Sequence, residues 1–192
     1  GAQSVSDNMK LWNEVSKTNP AHTKSANVRG NKITAIAPQT QIMAATEQWG
    51  PYGEAWGFKS IALDYALFEK TGIIIFCGQF FFPNGLFPIS ASISAYKDGA
   101  QTKPDADFAK KVETDALTKA LSKVGFNADV FMGLYDDHKY VQMMEVEFAE
   151  PIEYAVDDSA IGWIDAVKAD SAVLNQIKDA NYKAFIKQQA GV

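Results

Sequence analysis

The chain has 192 residues, 47% of them hydrophobic, with a single cysteine and a formal charge of −5, which suits one domain, or one domain with a small appendage, around a real core. No run approaches the roughly 20 apolar residues of a membrane span and no signal-peptide layout opens the chain, so the expectation is a soluble cytoplasmic protein. The negative charge would argue against a polyanionic partner, except that residues 1–144 hold 14 acids and 14 bases, 145–158 hold six acids and no base, and 159–192 hold three acids and four bases.

Gly1-Ala2 stands where an initiator methionine is expected, reads as a trimmed tag or processed start, and is set aside. From Ile33 to Ala37 the chain predicts a short strand, and Pro38 opens a helix over Gln39 to Trp49, where a missing N–H costs nothing. Gly50, Gly53 and Gly57 then punctuate an aromatic-rich turn. Three strand-like runs follow, about Trp56 to Phe68, Ile73 to Phe82 and Leu86 to Tyr96, rich in β-branched and aromatic residues. The breaks between them, Lys70-Thr71-Gly72 and Pro83-Asn84-Gly85, are short and turn-forming, which predicts an antiparallel meander.

Asp98-Gly99 ends the third strand, and Pro104-Asp105 begins a helix that runs to about Val124 and stops at Gly125. Apolar residues from Ala106 to Val124 recur at spacings of three and four, so one stripe of that helix packs on the sheet. The fold class is therefore α+β: a β-β-β-α core, its antiparallel meander packed on a long helix, with a small C-terminal helical appendage. The boundaries read as a core at 9–144, an acidic linker at 145–158 and a helical module at 159–190, with Ser159 and Ser171 as candidate caps.

Few motifs carry covalent chemistry. Cys77 lies inside an apolar run and reads as a small hydrophobe. Ser94-Ala95-Tyr96-Lys97, Ser6-Asp7-Asn8 and Lys70-Thr71-Gly72 match three signatures of penicillin-binding enzymes, but in the wrong order and with Ser94 in a strand. His22 and His138 have no partner at ligand spacing, so no metal site is assigned, and Asp136-Asp137 reads as a solvated turn. Neither a phosphate-binding P-loop nor a dinucleotide fingerprint is present, which disfavours an ATP-driven recombinase; no catalytic residue and no cofactor is assigned.

The remaining signal is a set of cations: Lys24, Arg29 and Lys32 before the first strand, and Lys110, Lys111, Lys119 and Lys123 on the long helix. At about 100° per residue, Lys110 and Lys111 flank one side of the apolar stripe with Thr114, Thr118 and Ser122, while Lys119 and Lys123 flank the other. Periodicity alone reads these lysines first as the solvated face of an exposed helix, and phosphate contacts as the second reading. Trp49, Tyr52, Trp56 and Phe58 are either core or stacking platforms for bases.

Taken in order, A-T-E-Q-W-G at Ala45 to Gly50, the Gly and Trp turn up to Trp56, the meander, A-K-K-V-E-T-D-A-L-T-K-A-L-S-K-V-G-F at Ala109 to Phe126, and D-D-H-K-Y ending at Tyr140 resemble the single-strand annealing proteins. That superfamily spans phage recombinases and the eukaryotic annealing protein Rad-fifty-two; Asn19-Pro20, Thr23-Lys24 and Arg29-Gly30 are similar to the phage branch. The resemblance covers about residues 10–144 and leaves the tail outside.

It implies ATP-independent single-stranded DNA binding and annealing in homologous recombination and repair, without a covalent catalytic site. It also implies homo-oligomeric rings or helical filaments, in the cytoplasm of a bacterial host. A basic pair on the family helix corresponds to Thr118 and Lys119, and a further basic position falls on Ser122, next to Lys123. The expected DNA-binding set is Lys24, Arg29, Lys32, Lys110, Lys111, Lys119 and Lys123. The tail is expected to dock a single-strand binding protein or an exonuclease, or to limit DNA binding electrostatically. The alternative is a partner-binding or assembly module of a phage recombination or replication complex, without annealing activity of its own.

Overall fold

The computed structural model describes residues 5–192; Gly1 and Ala2 lie outside the described residues. Two short helices, α1 (Val5–Asn8) and α2 (Lys10–Val15), open the chain. Asn19 then caps a single 3-10 turn, Pro20–His22, by accepting from the Ala21 N–H. The Thr23 hydroxyl donates to the Pro20 carbonyl at 2.7 Å. These bonds aim the chain into β1 (Thr23–Val28), which pairs antiparallel with β2 (Asn31–Ile36).

The strand expected at Ile33–Ala37 is thus one arm of a hairpin. Its partner, T-K-S-A-N-V, has too few apolar residues to show a period of two. Arg29 (φ 52) and Gly30 (φ 81) form the turn, both in the left-handed region that a two-residue hairpin loop favours.

Helix α3 (Pro38–Trp49) begins on the proline as expected. Beyond Gly50 the chain doubles back so that Trp56, fully buried, donates its indole N–H to the Gly50 carbonyl at 2.7 Å. Strand β3 (Gly57–Asp64), helical turn α4 (Phe68–Thr71), β4 (Ile73–Phe82) and β5 (Gly85–Ser94) follow. The strands form the expected antiparallel meander in the order β3-β4-β5.

The first strand is shorter than its apolar run suggests. A bulge between Lys59 and Ala62, with Ser60 at φ 55, interrupts it, and Phe68 to Thr71 coil into a helical turn rather than a bare loop. Along β4, Ile74, Phe76 and Phe80 turn to the core while Ile73, Ile75, Cys77 and Gln79 take the other face, the period expected of a half-buried strand.

Helix α5 (Phe108–Lys123) lays Val112, Ala116, Leu117, Ala120 and Leu121 on that inner face, mainly along β5. It starts at Phe108, not at Asp105. The Asp105 N–H donates to the Ala95 carbonyl at 2.7 Å and its carboxylate accepts from the Asp107 N–H, so this segment is a tethered turn. At the far end Gly125 has φ 111, and a Cβ there would lie 2.9 Å from the Trp12 Cα. Phe126 is then buried against Trp49, ring centroids 5.2 Å apart. Burial of Phe76, Phe80 and Phe126 stabilises the fold by about 1.5–3 kcal/mol each.

Helix α6 (Ala128–Phe131), a 3-10 turn at Leu134–Asp136 and α7 (His138–Glu147) complete the first of two compact units, which ends at Phe148. Its hub is the buried Asp129. The carboxylate accepts from the Thr18 N–H (2.8 Å), the Thr18 hydroxyl (2.6 Å) and the Tyr140 hydroxyl (2.8 Å). Asn127 donates to the Thr18 hydroxyl oxygen and Tyr135 to the Thr18 carbonyl. Burial, reinforced by Asp129, pushes the Tyr135 and Tyr140 phenols above their ordinary pKa, which keeps both as donors. The D-D-H-K-Y motif thereby receives a structural meaning: its tyrosine locks α7 to the segment that leads into the hairpin.

The second unit, Ala149–Val192, holds α8 (Asp158–Ala169), a 3-10 segment at Ser171–Gln176 and α9 (Ala180–Ala190) around Ile164, Val167, Leu174 and Ile186. The caps are aspartates, not the expected serines: Asp157, Asp170 and Asp179 accept from the N–H groups of Ala160, Ala172 and Tyr182. A carboxylate at an N-cap gains from the helix dipole as well as from the hydrogen bond. Nor is 145–158 a free linker throughout. Glu145 and Glu147 stand on α7, Asp158 opens α8, and the Tyr154 ring packs on Tyr182 and Phe185 with centroids 5.1 and 5.3 Å away.

Candidate nucleic-acid interface

The seven cations fall into three places. Lys24, Arg29 and Lys32 are exposed on the β1–β2 hairpin. Residues directly opposite in an antiparallel pair share a face; Lys24 faces Ala35, whereas Lys32 faces Asn27. Successive residues alternate sides, so the two lysines lie on opposite faces. The face of Lys24 carries Ala26, Val28 and Ile33, and the face of Lys32 carries Ser25, Asn27 and Thr34. Arg29 occupies the tip, where both neighbouring backbones are solvated.

On α5 the lysines separate as well. Lys119 crosses to the edge strand β5 and donates to the Ser90 carbonyl at 3.0 Å. Lys123 stands 6.0 Å from the centroid of the Phe87 ring. Ser90, Ser92 and Ser94 alternate along the exposed side of β5; the Ser94 hydroxyl is engaged with the Tyr96 backbone, so this edge presents two ammonium groups beside the Ser90 and Ser92 hydroxyls and the amides of an edge strand. Those are the groups that bind phosphate without reading sequence.

Lys110 lies at the other edge, in an open depression of about 430 Å³ formed with Ile42, Tyr52, Glu113, Thr114 and Leu117. Tyr52 is the one aromatic of the expected four that is exposed; Trp56 is fully buried, and Trp49 and Phe58 pack in the core with Phe126, Phe76 and Phe80. Partial burial, and next the Glu113 charge, hold the Tyr52 phenol above its ordinary pKa. Its ring meets Trp56 edge-on at 5.0 Å and stays open to stacking on its free side.

Lys111 differs from the rest. Its ammonium is 2.6 Å from a carboxylate oxygen of the buried Asp105. The hydrogen bond to Asp105 raises the Lys111 pKa, and the same bond holds the Asp105 carboxyl below the ordinary carboxylate range. This lysine closes the turn before α5 and is committed to a structural partner. A cation outside the expected set is Lys59 on β3, 4.4 Å from the centroid of the Phe81 ring. Alternation along Phe58-Lys59 would have placed it on the open face of the sheet, opposite Gln79.

A second depression, of about 500 Å³, is lined by Glu14, Glu47, Glu147 and His22 and by none of the seven cations; Lys17 there is paired with Glu147 at 2.8 Å. Among the described residues no group of three or more His, Cys, Asp or Glu side chains is arranged to hold a metal ion. Likewise, no helix of the described residues is long and apolar enough to cross a membrane. No protein-family model matches the chain, and no curated protein matches it with significance.

Proposed function

We propose that the chain binds single-stranded DNA through its phosphates and anneals complementary strands without ATP, as a phage-type recombinase acting in homologous recombination and repair in the cytoplasm of a bacterial host. The observation that carries this reading is the free edge of β5, where Lys119 of α5 reaches the Ser90 carbonyl and Lys123 stands by the Phe87 ring on a strand whose Ser90 and Ser92 are exposed. Annealing requires a strand to be held by its backbone with base edges left outward, and lysines, hydroxyls and edge amides hold phosphate in that way. Lys32 and Arg29 on the hairpin and Lys110 beside Tyr52 extend the set, while Lys111 drops out of it. No covalent step and no cofactor is needed. The active form is a homo-oligomeric ring or helical filament, since one copy offers too short a track to align two strands.

Single-strand affinity measured against salt tests the reading. Each phosphate contact contributes a slope of about −0.7 in log K against log salt, so Lys119→Ala is expected to weaken binding and flatten that slope. Unchanged affinity and slope would overturn the assignment. A second reading, a partner-binding or assembly module, is favoured by the helical unit Ala149–Val192 with its own core. Its partner would be a single-strand binding protein or an exonuclease, and removal of that unit with annealing intact separates docking from annealing.

A further inference from the structure

The depression that holds Lys110 differs in make-up from the β5 edge. Ile42 of α3 and Leu117 of α5 form its apolar part, Tyr52 adds an aromatic ring, and Lys110, Glu113 and Thr114 bring polar groups. At about 430 Å³ it falls within the roughly 300–1,000 Å³ of small-molecule sites. Such a lining suits a flat group with apolar faces that carries an anion on a short tether.

Tyr52 is 43% exposed yet held in place. The Gly53 N–H donates to the Trp56 carbonyl at 2.7 Å and the Trp56 indole N–H to the Gly50 carbonyl, so the turn that carries Tyr52 is closed by two bonds. Its ring also packs edge-on with the buried Trp56 ring. An aromatic side chain fixed in this way loses little freedom when a second ring stacks on it.

Lys110 stands in the first turn of α5, where the helix dipole adds to its charge in favouring an anion. Among the described residues neither Lys110 nor Glu113 is in an ion pair. Glu113 lies one turn further along the helix, so an anion is favoured at the Lys110 end of the depression and repelled at the other.

A nucleotide has both features, an apolar-faced ring and a tethered anion. We propose that this depression is a nucleobase site: Tyr52 stacks on the face of one base of the bound strand, beside Ile42 and Leu117, while Lys110 takes the adjacent phosphate. The contact rests on the proposed function and adds to its phosphate track a contribution of different physics, because stacking is uncharged and tolerant of sequence. A stack uses the face of a base and leaves its pairing edge uncommitted, which is compatible with annealing.

The test is the affinity of the full chain, across salt, for a single-stranded oligonucleotide and for an abasic one of equal length, which has the phosphates without the bases. Wild type is expected to bind the first more tightly. Tyr52→Ala should weaken that binding about fivefold or more with the salt slope unchanged, and leave the abasic affinity as it was. Tyr52→Phe keeps the ring and should bind like wild type, whereas Lys110→Ala should flatten the slope by about 0.7 for both oligonucleotides. Because Tyr52 packs on Trp56, Tyr52→Leu, which fills the space without an aromatic face, is measured as well and should repeat the alanine result; the wild-type comparison of the two oligonucleotides stands whatever the stability of the variants.

Equal wild-type affinity for the two oligonucleotides, a Tyr52→Ala or Tyr52→Leu chain that binds like wild type, or an equal loss on the abasic strand would overturn the site. So would a free deoxynucleoside monophosphate that binds through Tyr52 while oligonucleotide affinity does not depend on it, which would make the depression a mononucleotide pocket. Binding that depends on Lys119 and on salt but not on Tyr52 removes the nucleobase site and leaves the proposed function standing; no binding of either oligonucleotide overturns both.

Discussion

The two sheets of the first unit are built on opposite terms. In β3–β4–β5 one face is filled by Phe76, Phe80, Ile89 and Ala91 against α5, and the strands exist because that face is buried. The β1–β2 hairpin has no fully buried residue. It is held at its base by the Asn19 cap, the Thr23 hydroxyl and the Thr18–Asp129 hub. Apolar burial decides where the chain folds, and the region with least burial is left to carry charge and contact other molecules.

The largest effects should therefore come from the buried groups of the first unit. Trp56→Ala removes a fully buried ring and its bond to the Gly50 carbonyl and is expected to cost about 3–5 kcal/mol, read from denaturant unfolding. Asp129→Ala comes next, at about 3 kcal/mol, because it strands the Thr18 N–H and the Tyr140 hydroxyl without an acceptor. Val28→Ala at the hairpin should stay within about 0.5 kcal/mol, since its side chain is half exposed in the single chain. A hairpin substitution as costly as the core ones would erase the contrast.

Smaller effects divide the lysines. Lys32→Ala and Lys119→Ala should each flatten the single-strand salt slope by about 0.7 with stability unchanged, whereas Lys111→Ala should lower stability and leave the slope alone. The reverse pattern would reassign Lys111 to DNA. The Asp105–Lys111 pair also predicts a pH dependence. Its carboxyl is depressed in the folded state, so its contribution is present above the ordinary carboxylate range and is lost as pH falls through the depressed value. The Lys111 pKa is raised, so its contribution is full below the ordinary lysine range and is lost as pH rises through the raised value. Asp105→Asn should make the acid limb of the melting temperature against pH shallower; an unaltered limb would mean that other carboxylates, such as Asp98 with its Thr102 partner, dominate there.

Sequence patterns fared as this contrast predicts. Strand β4 and the stripe of α5 were legible to within a few residues because each repeats apolar residues at its own period. Strand β1 was not, because T-K-S-A-N-V makes no core. Of the aspartate caps, Asp170 was hidden beside Ser171 and Asp157 within an acidic run that resembled linker, while Asp179 opens a helix at which no cap was expected. The cations were readable as residues but not as a surface: helix spacing separated Lys119 and Lys123 from Lys110, yet only strand register shows Lys24 and Lys32 back to back. Only the tethered turn shows that Lys111 is committed to Asp105.

The most direct measurement is the rate at which two complementary oligonucleotides pair at low salt with the full chain present and no ATP. An acceleration over spontaneous pairing that fades with added salt and with Lys119→Ala is the predicted result. Pairing at the spontaneous rate, with single strands bound or unbound, would contradict it.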